Sequence, residues 1–222
     1  MSNIDLKNAV ESSLNQFKYQ IYSQEELLRK EKELEQSRIR ERALAILEKA
    51  NIPMRHRNNP PLFGTGWMDK HKAIETRIGT GFIIGLIGQR GTGKTQLAVQ
   101  IAKATAKQGN SVRYTTAMGF FIDIKETFDD GKKSERNVIE EHSRPSFLII
   151  DEVQERGQTP WEDRLLTHLI DKRYSSQRDT LIISNQNKDS FLASLGESVA
   201  SRITETGGIM NCDWESYRTK TQ

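Results

Sequence analysis

The sequence predicts an α/β fold in which helices cover both faces of a parallel sheet. Short, almost fully apolar runs typical of buried strands alternate with helical stretches; the runs are Phe82–Ile87, Val112–Thr116, Phe147–Ile150 and Leu181–Ser184. A glycine-rich segment follows the first run directly and opens a helix, which is typical of a phosphate-binding loop. The 222 residues suffice for one medium domain and an appendage.

The chain begins with a segment that is predicted to form two helices. Apolar residues recur at helical spacing in the first helix; they are Leu6, Val10, Leu14, Phe17 and Ile21. Ser23 and Glu26 have the capping-box spacing, so a second helix should begin there. An apolar face returns near the end of that helix, at Ile39, Ala43, Ile46, Leu47 and Ala50, before Pro53 stops it.

These helices have too little apolar surface for a core of their own. Either they pack back on the main domain, or Leu6 to Ile21 docks on another protein as amphipathic helices do. We favour docking, because a Pro-rich linker suits a segment that reaches outwards. Residues 1–52 are therefore assigned to an N-terminal helical partner-binding segment, 53–80 to a linker and entry to the core, and 81–222 to the main domain.

The glycine-rich segment matches G-x-x-x-x-G-K-[ST] in full and predicts a site for ATP. Glycines let the backbone curl so that its N–H groups point at phosphate oxygens, and the next helix adds partial positive charge. Lys94 can reach the β- and γ-phosphates, and the Thr95 hydroxyl can bind Mg²⁺. The predicted nucleotide-binding residues are Gly88, Gln89, Arg90, Gly91, Thr92, Gly93, Lys94, Thr95 and Gln96.

Helical stretches follow the strands. The first, Thr95–Gln108, is closed by Gly109 at the C′ position. The others are predicted at about 117–128, 161–175 and 189–200.

Two acids, Asp151 and Glu152, end the apolar run that begins at Phe147. Carboxylates at the C-terminal end of a central strand lie in the ligand crevice of an open α/β sheet. Asp151 is suited to hold Mg²⁺ through water, and Glu152 to polarise the attacking water. A kinase for a small metabolite need not activate water, so the pair favours hydrolysis over that alternative.

Two further polar residues are catalytic candidates. Asn185 ends the strand that begins at Leu181, where it can donate to the γ-phosphate or position water; an Asn in this place is also a common turn residue. Arg202 follows the predicted helix 189–200 and can neutralise charge that develops on a transferring phosphoryl group. Spacing alone leaves a surface arginine as the alternative.

Composition sets limits on the class of protein. The net charge of +3 permits a nucleic-acid partner but does not establish one. No apolar run approaches the ~20 residues of a membrane helix, and the start has no secretory signal, so we expect a cytoplasmic protein without membrane contact. Cys212 is the single cysteine, which excludes an intrachain disulfide.

Several segments resemble, in the same order, the DnaC/IstB-like family of AAA+ ATPases. The similar segments are Ile52–Arg55, Ile87–Leu97, Leu148–Glu152, Ile170–Ser176, Leu195–Arg202 and Trp214–Arg218. The likeness covers roughly residues 50 to 218 and is greatest to the helicase-loader branch. The Leu-Gly-Glu-x-Val-x-x-Arg and Trp-x-Ser-Tyr-Arg pieces are much more specific than the phosphate loop.

The resemblance implies roles for these residues. Asp151 and Glu152 take the Walker B positions, Asn185 the sensor-1 position, and Arg202 that of an arginine finger that acts across a subunit interface; Arg173 is a second interface candidate. The 20 residues after Arg202 are too few for a helical lid, so an AAA+ core without a C-terminal lid is expected. Candidate contacts to single-stranded DNA are Arg113, Tyr114, Phe120, Phe121, Lys132 and Lys133, although at least one phenylalanine is expected in the core.

The resemblance favours an ATP-dependent loader of a hexameric replicative helicase that binds single-stranded DNA and self-associates through an ATP-bridged interface. The compact chain and its N-terminal helices are compatible with an origin in a phage or mobile element. The alternative from the same family is an IstB-like ATPase that helps a transposase and binds duplex DNA. Site residues do not separate the two.

Overall fold

In the computed structural model, residues 24–130 and 134–217 are described. The predicted first helix, the Ser23 cap, Lys132, Lys133 and Arg218 lie outside these residues. The chain divides between Arg38 and Ile39 into two units. The described part of the first unit lies on helix α1, Gln24–Glu48, which continues into the second unit.

The second unit is built on five strands, all parallel in their pairing. They are β1 (Ile83–Ile87), β2 (Val112–Thr116), β3 (Phe147–Asp151), β4 (Asp179–Ile183) and β5 (Gly208–Asn211). Their order across the sheet is β2-β3-β4-β1-β5. The predicted parallel sheet is confirmed, and the four predicted strands match β1 to β4 within two residues. Sequence analysis missed β5, a four-residue edge strand that is only half-buried.

Helices connect the strands and cover the sheet. Further along the chain from α1 they are α2 (Met54–Arg57), α3 (Thr65–Glu75), α4 (Lys94–Lys107), α5 (Ala117–Asp130), α6 (Glu135–Ser143), α7 (Pro160–Ser175), α8 (Lys188–Leu195) and α9 (Glu197–Thr206). A capping box at Thr159 and Glu162 starts α7. Helices α2, α3 and α6 were not predicted. None of the described helices is both long and apolar enough to cross a membrane.

One predicted helix is two helices in the structure. The stretch 189–200 breaks at Gly196, whose φ of 78° and ψ of 160° no residue with a side chain adopts easily. As a result Arg202 lies within α9 rather than after a helix.

Alternate residues of the strands feed two apolar cores, one on each face of the sheet. On one face Ile84 and Leu86 pack with Leu97 and Ile101 of α4. On the other face Ile83 and Ile87 pack with residues from α5 to α9. Since both faces are covered, β1, β3 and β4 are buried along their whole length, which is why the sequence shows them as continuous apolar runs.

Part of the predicted N-terminal segment belongs to the first of these cores. Ala43, Leu47, Ala50 and Ile52 are at most 6% exposed and pack in that core. The Ala50 carbonyl also accepts a hydrogen bond of 2.7 Å from the amide of Tyr114 in the edge strand β2. Residues 43–52 therefore help to build the core of the second unit. A partner-binding role for residues 1–52 stays a prediction.

Candidate functional site

The loop between β1 and α4 has the curled backbone that the glycine pattern predicts. Gly88, Gly91 and Gly93 have φ values of 135°, 87° and 80°. A Cβ atom at Gly93 would overlap the side chain of Leu62, and one at Gly88 would overlap the carbonyl of Cys212. Glycine is required at both positions for two reasons, backbone conformation and close approach.

Lys94 begins α4 and turns its ammonium group back over the loop. Its Nζ donates to the carbonyls of Gly88 and Gln89, each at 2.7 Å, and lies 3.5 Å from the Thr92 hydroxyl. The residue is 5% exposed. A positive charge is thus fixed at the centre of a loop whose glycines allow its N–H groups to converge, which suits a polyphosphate.

Asp151 ends β3 at the centre of a hydrogen-bonded cluster. Its Oδ2 accepts from the Thr95 hydroxyl at 2.8 Å and from the Tyr114 hydroxyl at 3.0 Å, and its Oδ1 accepts from the Glu152 amide at 2.8 Å. Asp151 is 4% exposed, so these donors hold the carboxylate in one orientation. Hydroxyl and carboxylate oxygens are ligands that Mg²⁺ prefers, and the Thr95–Asp151 pair therefore fits the predicted metal site.

Tyr114 was predicted to contact DNA, and the structure contradicts this. It is 8% exposed, and its hydroxyl faces Asp151. Burial, followed by the negative charge of Asp151, raises the pKa of Tyr114, so the hydroxyl remains a donor at neutral pH. No sequence pattern links a residue in β2 to one at the end of β3; the pairing of Thr116 with Asp151 between the two strands brings them together.

Glu152 follows Asp151 but has a different backbone conformation. Its φ of 54° and ψ of 43° are left-handed, which is uncommon for a residue other than glycine and is often found at functional sites. The turn exposes the Glu152 side chain, whereas Asp151 stays buried. The two carboxylates are thereby given the separate directions that their predicted roles require.

A cavity of about 790 Å³ brings most of the predicted residues together. Its lining includes Lys94, Thr95, Asp151, Glu152 and Asn185. Several other lining residues were not predicted, among them Arg55 and His56; for these two the available signal was the similarity of Ile52–Arg55 to the segment that introduces the main domain in the resembling family. A second cavity of about 760 Å³ lies against Gly88, Gln89 and Asn185.

The remaining loop residues have distinct surroundings. Thr92 is 1% exposed, and its hydroxyl donates to the Gln89 carbonyl. Gln96 is 5% exposed and donates to the carbonyls of residues 56, 59 and 60, so its side chain anchors the preceding segment. Arg90 lines the 790 Å³ cavity and forms an exposed ion pair of 3.1 Å with Glu155.

Arg202 does not line either of these cavities. It lies on α9, where it forms an ion pair of 3.0 Å with Asp171 and donates to the Ser198 carbonyl at 2.7 Å. Its guanidinium lies 5.3 Å from the centre of the Tyr174 ring. Helix α7 therefore supports Arg202 at a distance from the loop of its own chain, and its role across a subunit interface stays a prediction.

The structure also corrects the assignment of Arg173 as an interface residue. Arg173 is 0% exposed, and its guanidinium donates to Thr180 and to the carbonyls of His142, Ser143, Pro145 and Asp179. Burial lowers its pKa to about 9. It ties α6, α7 and β4 together within one chain.

Three predicted DNA contacts are also buried or paired. Phe120 and Phe121 are both 1% exposed and belong to the core on one face of the sheet. Arg113 lies 3.9 Å from Glu141. The two phenylalanines therefore offer no surface to a nucleic acid, which confirms the expectation that at least one of them is in the core, whereas Arg113 is partly exposed and its contact with DNA stays a prediction.

Comparisons with known proteins agree with the fold and the loop. A family model described as "IstB-like ATP binding protein" matches residues 8–222. The replicative helicase loader DnaC of Escherichia coli (strain K12) is 30% identical over 134 residues, which cover 60% of this chain and 55% of DnaC. The uncharacterized protein YdaV of the same strain is 29% identical over 153 residues, or 68% of this chain and 61% of YdaV. The chain thus spans little more than half the length of the curated relatives it matches.

Solved structures show the same fold at low sequence identity. A crystal structure of the DnaC helicase loader aligns with a TM-score of 0.62 and 20% identity over 72% of this chain and 99% of that chain. The AMPPCP-bound DnaA from Aquifex aeolicus aligns with a TM-score of 0.61 and 19% identity over 72% of this chain and 51% of DnaA. These likenesses show a shared fold, a parallel sheet with helices on both faces and a phosphate-binding loop after its first strand.

Proposed function

This chain belongs to the family of IstB-like ATP-binding proteins, and we propose that it is a Mg²⁺-dependent ATPase that loads a replicative helicase onto single-stranded DNA. The observation that carries the ATPase proposal is the contact of 2.8 Å between Thr95 and the buried Asp151, next to an exposed Glu152 in a cavity that also contains Lys94. A metal ligand set, a phosphate ligand and a base are present in one place.

Each residue then has a distinct task. The loop amides and Lys94 bind and orient the β- and γ-phosphates, while Thr95 and Asp151 would hold a magnesium ion, which would supply positive charge beside those phosphates. Glu152 accepts a proton from the attacking water. This role requires a carboxylate that is not itself a metal ligand. Asn185, at the end of the neighbouring strand, positions that water or donates to the γ-phosphate.

Self-association completes the site in this proposal. Arg202 of one copy enters the cavity of the next and neutralises charge on the transferring phosphoryl group. Arg202 lies on α9 and is held against α7 by Asp171 and Tyr174. Its guanidinium is therefore presented in a defined position to a neighbouring copy. Turnover should accordingly depend on assembly.

The partners are proposed from the named relatives. The helicase is proposed from DnaC, which is named a replicative helicase loader and is 30% identical to this chain over 134 residues. A DnaA structure is described as bound to single-stranded DNA, but its 16% identity supports only the fold. Residues 1–52 are proposed to bind the helicase.

An IstB-like helper of a transposase is the second candidate, since the matching family model is described as "IstB-like ATP binding protein" and does not itself separate a loader from such a helper. Pull-down with a hexameric replicative helicase and, separately, with a transposase would distinguish the two. Capture of the helicase, dependent on residues 1–52, is expected. Stable capture of the transposase alone, with preference for duplex DNA, would reject the loader.

Phosphate release by the purified chain tests the ATPase itself. We expect ATP turnover that requires Mg²⁺ and needs no acceptor other than water, with stimulation as the concentration of the chain rises. Turnover only in the presence of a small-molecule acceptor would instead identify a kinase.

A further inference from the structure

Two carbonyl groups of the phosphate-binding loop, those of Gly91 and Thr92, are held by a later segment of the chain. Where the loop N–H groups face a phosphate, the carbonyls that turn away from it need donors of their own. The Gly91 carbonyl accepts from the Tyr217 amide at 2.9 Å, and the Thr92 carbonyl accepts from the Trp214 indole Nε1 at 2.8 Å. Both donors come from residues 212–217, here named the C-terminal clasp.

The clasp runs beside the loop from its beginning. The amide of Cys212 donates to the carbonyl of Ile87, the last residue of β1, at 2.7 Å. The Cys212 carbonyl lies so close to Gly88 that a side chain could not be placed there. Three hydrogen bonds thus join the clasp to Ile87, Gly91 and Thr92, and the clasp also passes close to Gly88.

Helix α3 and the residue before it hold the clasp from the other side. A Cβ atom at Gly66 would lie 3.0 Å from the Trp214 ring, and one at Gly64 would lie 2.7 Å from the Tyr217 hydroxyl. The Lys70 ammonium is 5.3 Å from the centre of the Trp214 ring. This close packing fixes the direction in which the indole N–H points.

We infer that Trp214 is a positioning residue for nucleotide binding: its indole N–H holds the Thr92 carbonyl outward and so keeps the loop amides directed at the phosphates. The clasp, residues 212–217, contributes no residue to the lining of the 790 Å³ cavity, although Trp214 lines the 760 Å³ cavity together with Gly88 and Gln89. The inferred effect on the phosphate site is carried by the hydrogen bond from Trp214 to the Thr92 carbonyl. This inference rests on the proposed nucleotide site. It assigns to residues 212–217, which lie outside the phosphate-loop and acid motifs, a part in nucleotide binding.

Trp214→Phe is the direct test, because it keeps an aromatic ring and removes the donor. Thr92 is 1% exposed, so water cannot easily replace the lost bond. The Kd for a non-hydrolysable ATP analogue with Mg²⁺, measured by calorimetry, should rise roughly threefold to tenfold. KM for ATP should rise by a similar factor while kcat changes little, since the loop binds the phosphates in the ground state and the transition state alike.

Trp161→Phe is the matched control, because Trp161 lies on α7 among Phe121, Phe128 and Lys125, away from the loop. It should leave the Kd unchanged. If the Trp214→Phe variant binds the analogue with the same Kd as the unaltered chain, the inference is overturned and the proposed function is not affected. Failure of the unaltered chain to bind the analogue would overturn both.

A measurement on the unaltered chain covers the case in which Trp214→Phe does not fold. If the hydrogen bond between Trp214 and Thr92 strengthens nucleotide binding, then by thermodynamic linkage nucleotide binding must stabilise that hydrogen bond equally. Solvent exchange of the Trp214 indole proton, followed by NMR, should slow when the analogue and Mg²⁺ are added, whereas the Trp161 indole proton should not respond. Equal exchange of the Trp214 proton with and without the analogue would contradict the inference.

Discussion

At the scale of single residues, two adjacent carboxylates are separated by backbone conformation. Asp151 is buried and accepts three hydrogen bonds, while the left-handed backbone of Glu152 turns its side chain into the open cavity. A metal ligand needs a fixed carboxylate, and a base needs access to water. The local geometry therefore supports two roles for two residues of similar chemistry.

Glu152→Gln should bind ATP and retain it unhydrolysed. The amide cannot accept the proton, so kcat should fall by about 10²–10⁴, while the Kd for ATP should change little because Glu152 is not a phosphate ligand in the proposal. Single-turnover phosphate release and nucleotide retention on a filter are the measurements. A variant that hydrolyses ATP at the original rate would remove Glu152 from the mechanism.

Arg202→Ala should keep nucleotide binding and lose assembly-stimulated turnover, by ~10³ or more if the arginine acts as proposed. Arg164→Ala, at an exposed position of α7, is the matched control. Mixing Arg202→Ala with Glu152→Gln should restore part of the activity, since one interface then contains both residues. If no ratio of the two variants recovers turnover, action across an interface is contradicted.

At the scale of elements, glycine decides where the last helices separate. Gly196 ends α8 and begins α9 in a conformation with φ of 78° and ψ of 160°. A Cβ atom there would meet no other atom within 4 Å, so the conformation alone demands glycine. The break sets the start of α9, the helix on which Arg202 lies.

Gly196→Ala should destabilise the fold by about 1–3 kcal/mol, because the backbone must adopt a region that is nearly closed to residues with a side chain. Urea unfolding measures this loss. Ser201→Ala, at an exposed position in α9, is the control and should change the free energy of unfolding by less than about 0.5 kcal/mol. Equal stability of the two variants would show that the break is not strained for alanine.

At the scale of the whole molecule, the contact boundary between Arg38 and Ile39 lies earlier than the predicted boundary at residue 52. Leu47 and Ile52 are buried in the core of the second unit, and the Ala50 carbonyl pairs with the edge strand β2. The end of α1 therefore belongs to the second unit, and partner binding is proposed only for residues further towards the N-terminus.

Two truncations separate these tasks. Removal of residues 1–38 should leave the free energy of unfolding and the Kd for ATP nearly unchanged and abolish helicase capture. Removal of residues 1–52 should lower the free energy of unfolding by roughly 3–6 kcal/mol, from the loss of two large buried aliphatic side chains at about 1.5–3 kcal/mol each. Urea unfolding and helicase pull-down are the measurements, and equal stability of both truncated chains would contradict this division.

Local chemistry determined much of this protein from the sequence alone. The phosphate loop and the acid pair are contiguous, so their residue types could be recognised without knowledge of the fold, and buried parallel strands appear as apolar runs because both faces are covered. The glycine in the Leu-Gly-Glu stretch was a signal for the break at Gly196. Because the residues on both sides of it are helical, one continuous helix was predicted instead.

Tertiary structure alone decided the contacts between distant segments. It placed Tyr114 on Asp151, buried Arg173 among carbonyls of residues 142–145 and of Asp179, paired the short β5 with β1, and set Trp214 against Thr92. Apart from Arg173 and Asp179, these partners are far from each other in sequence, and one hydrogen bond needs only a donor and an acceptor, which many residues offer. The sheet's register and the packing of α3 choose among them, because those determine which atoms lie about 3 Å apart.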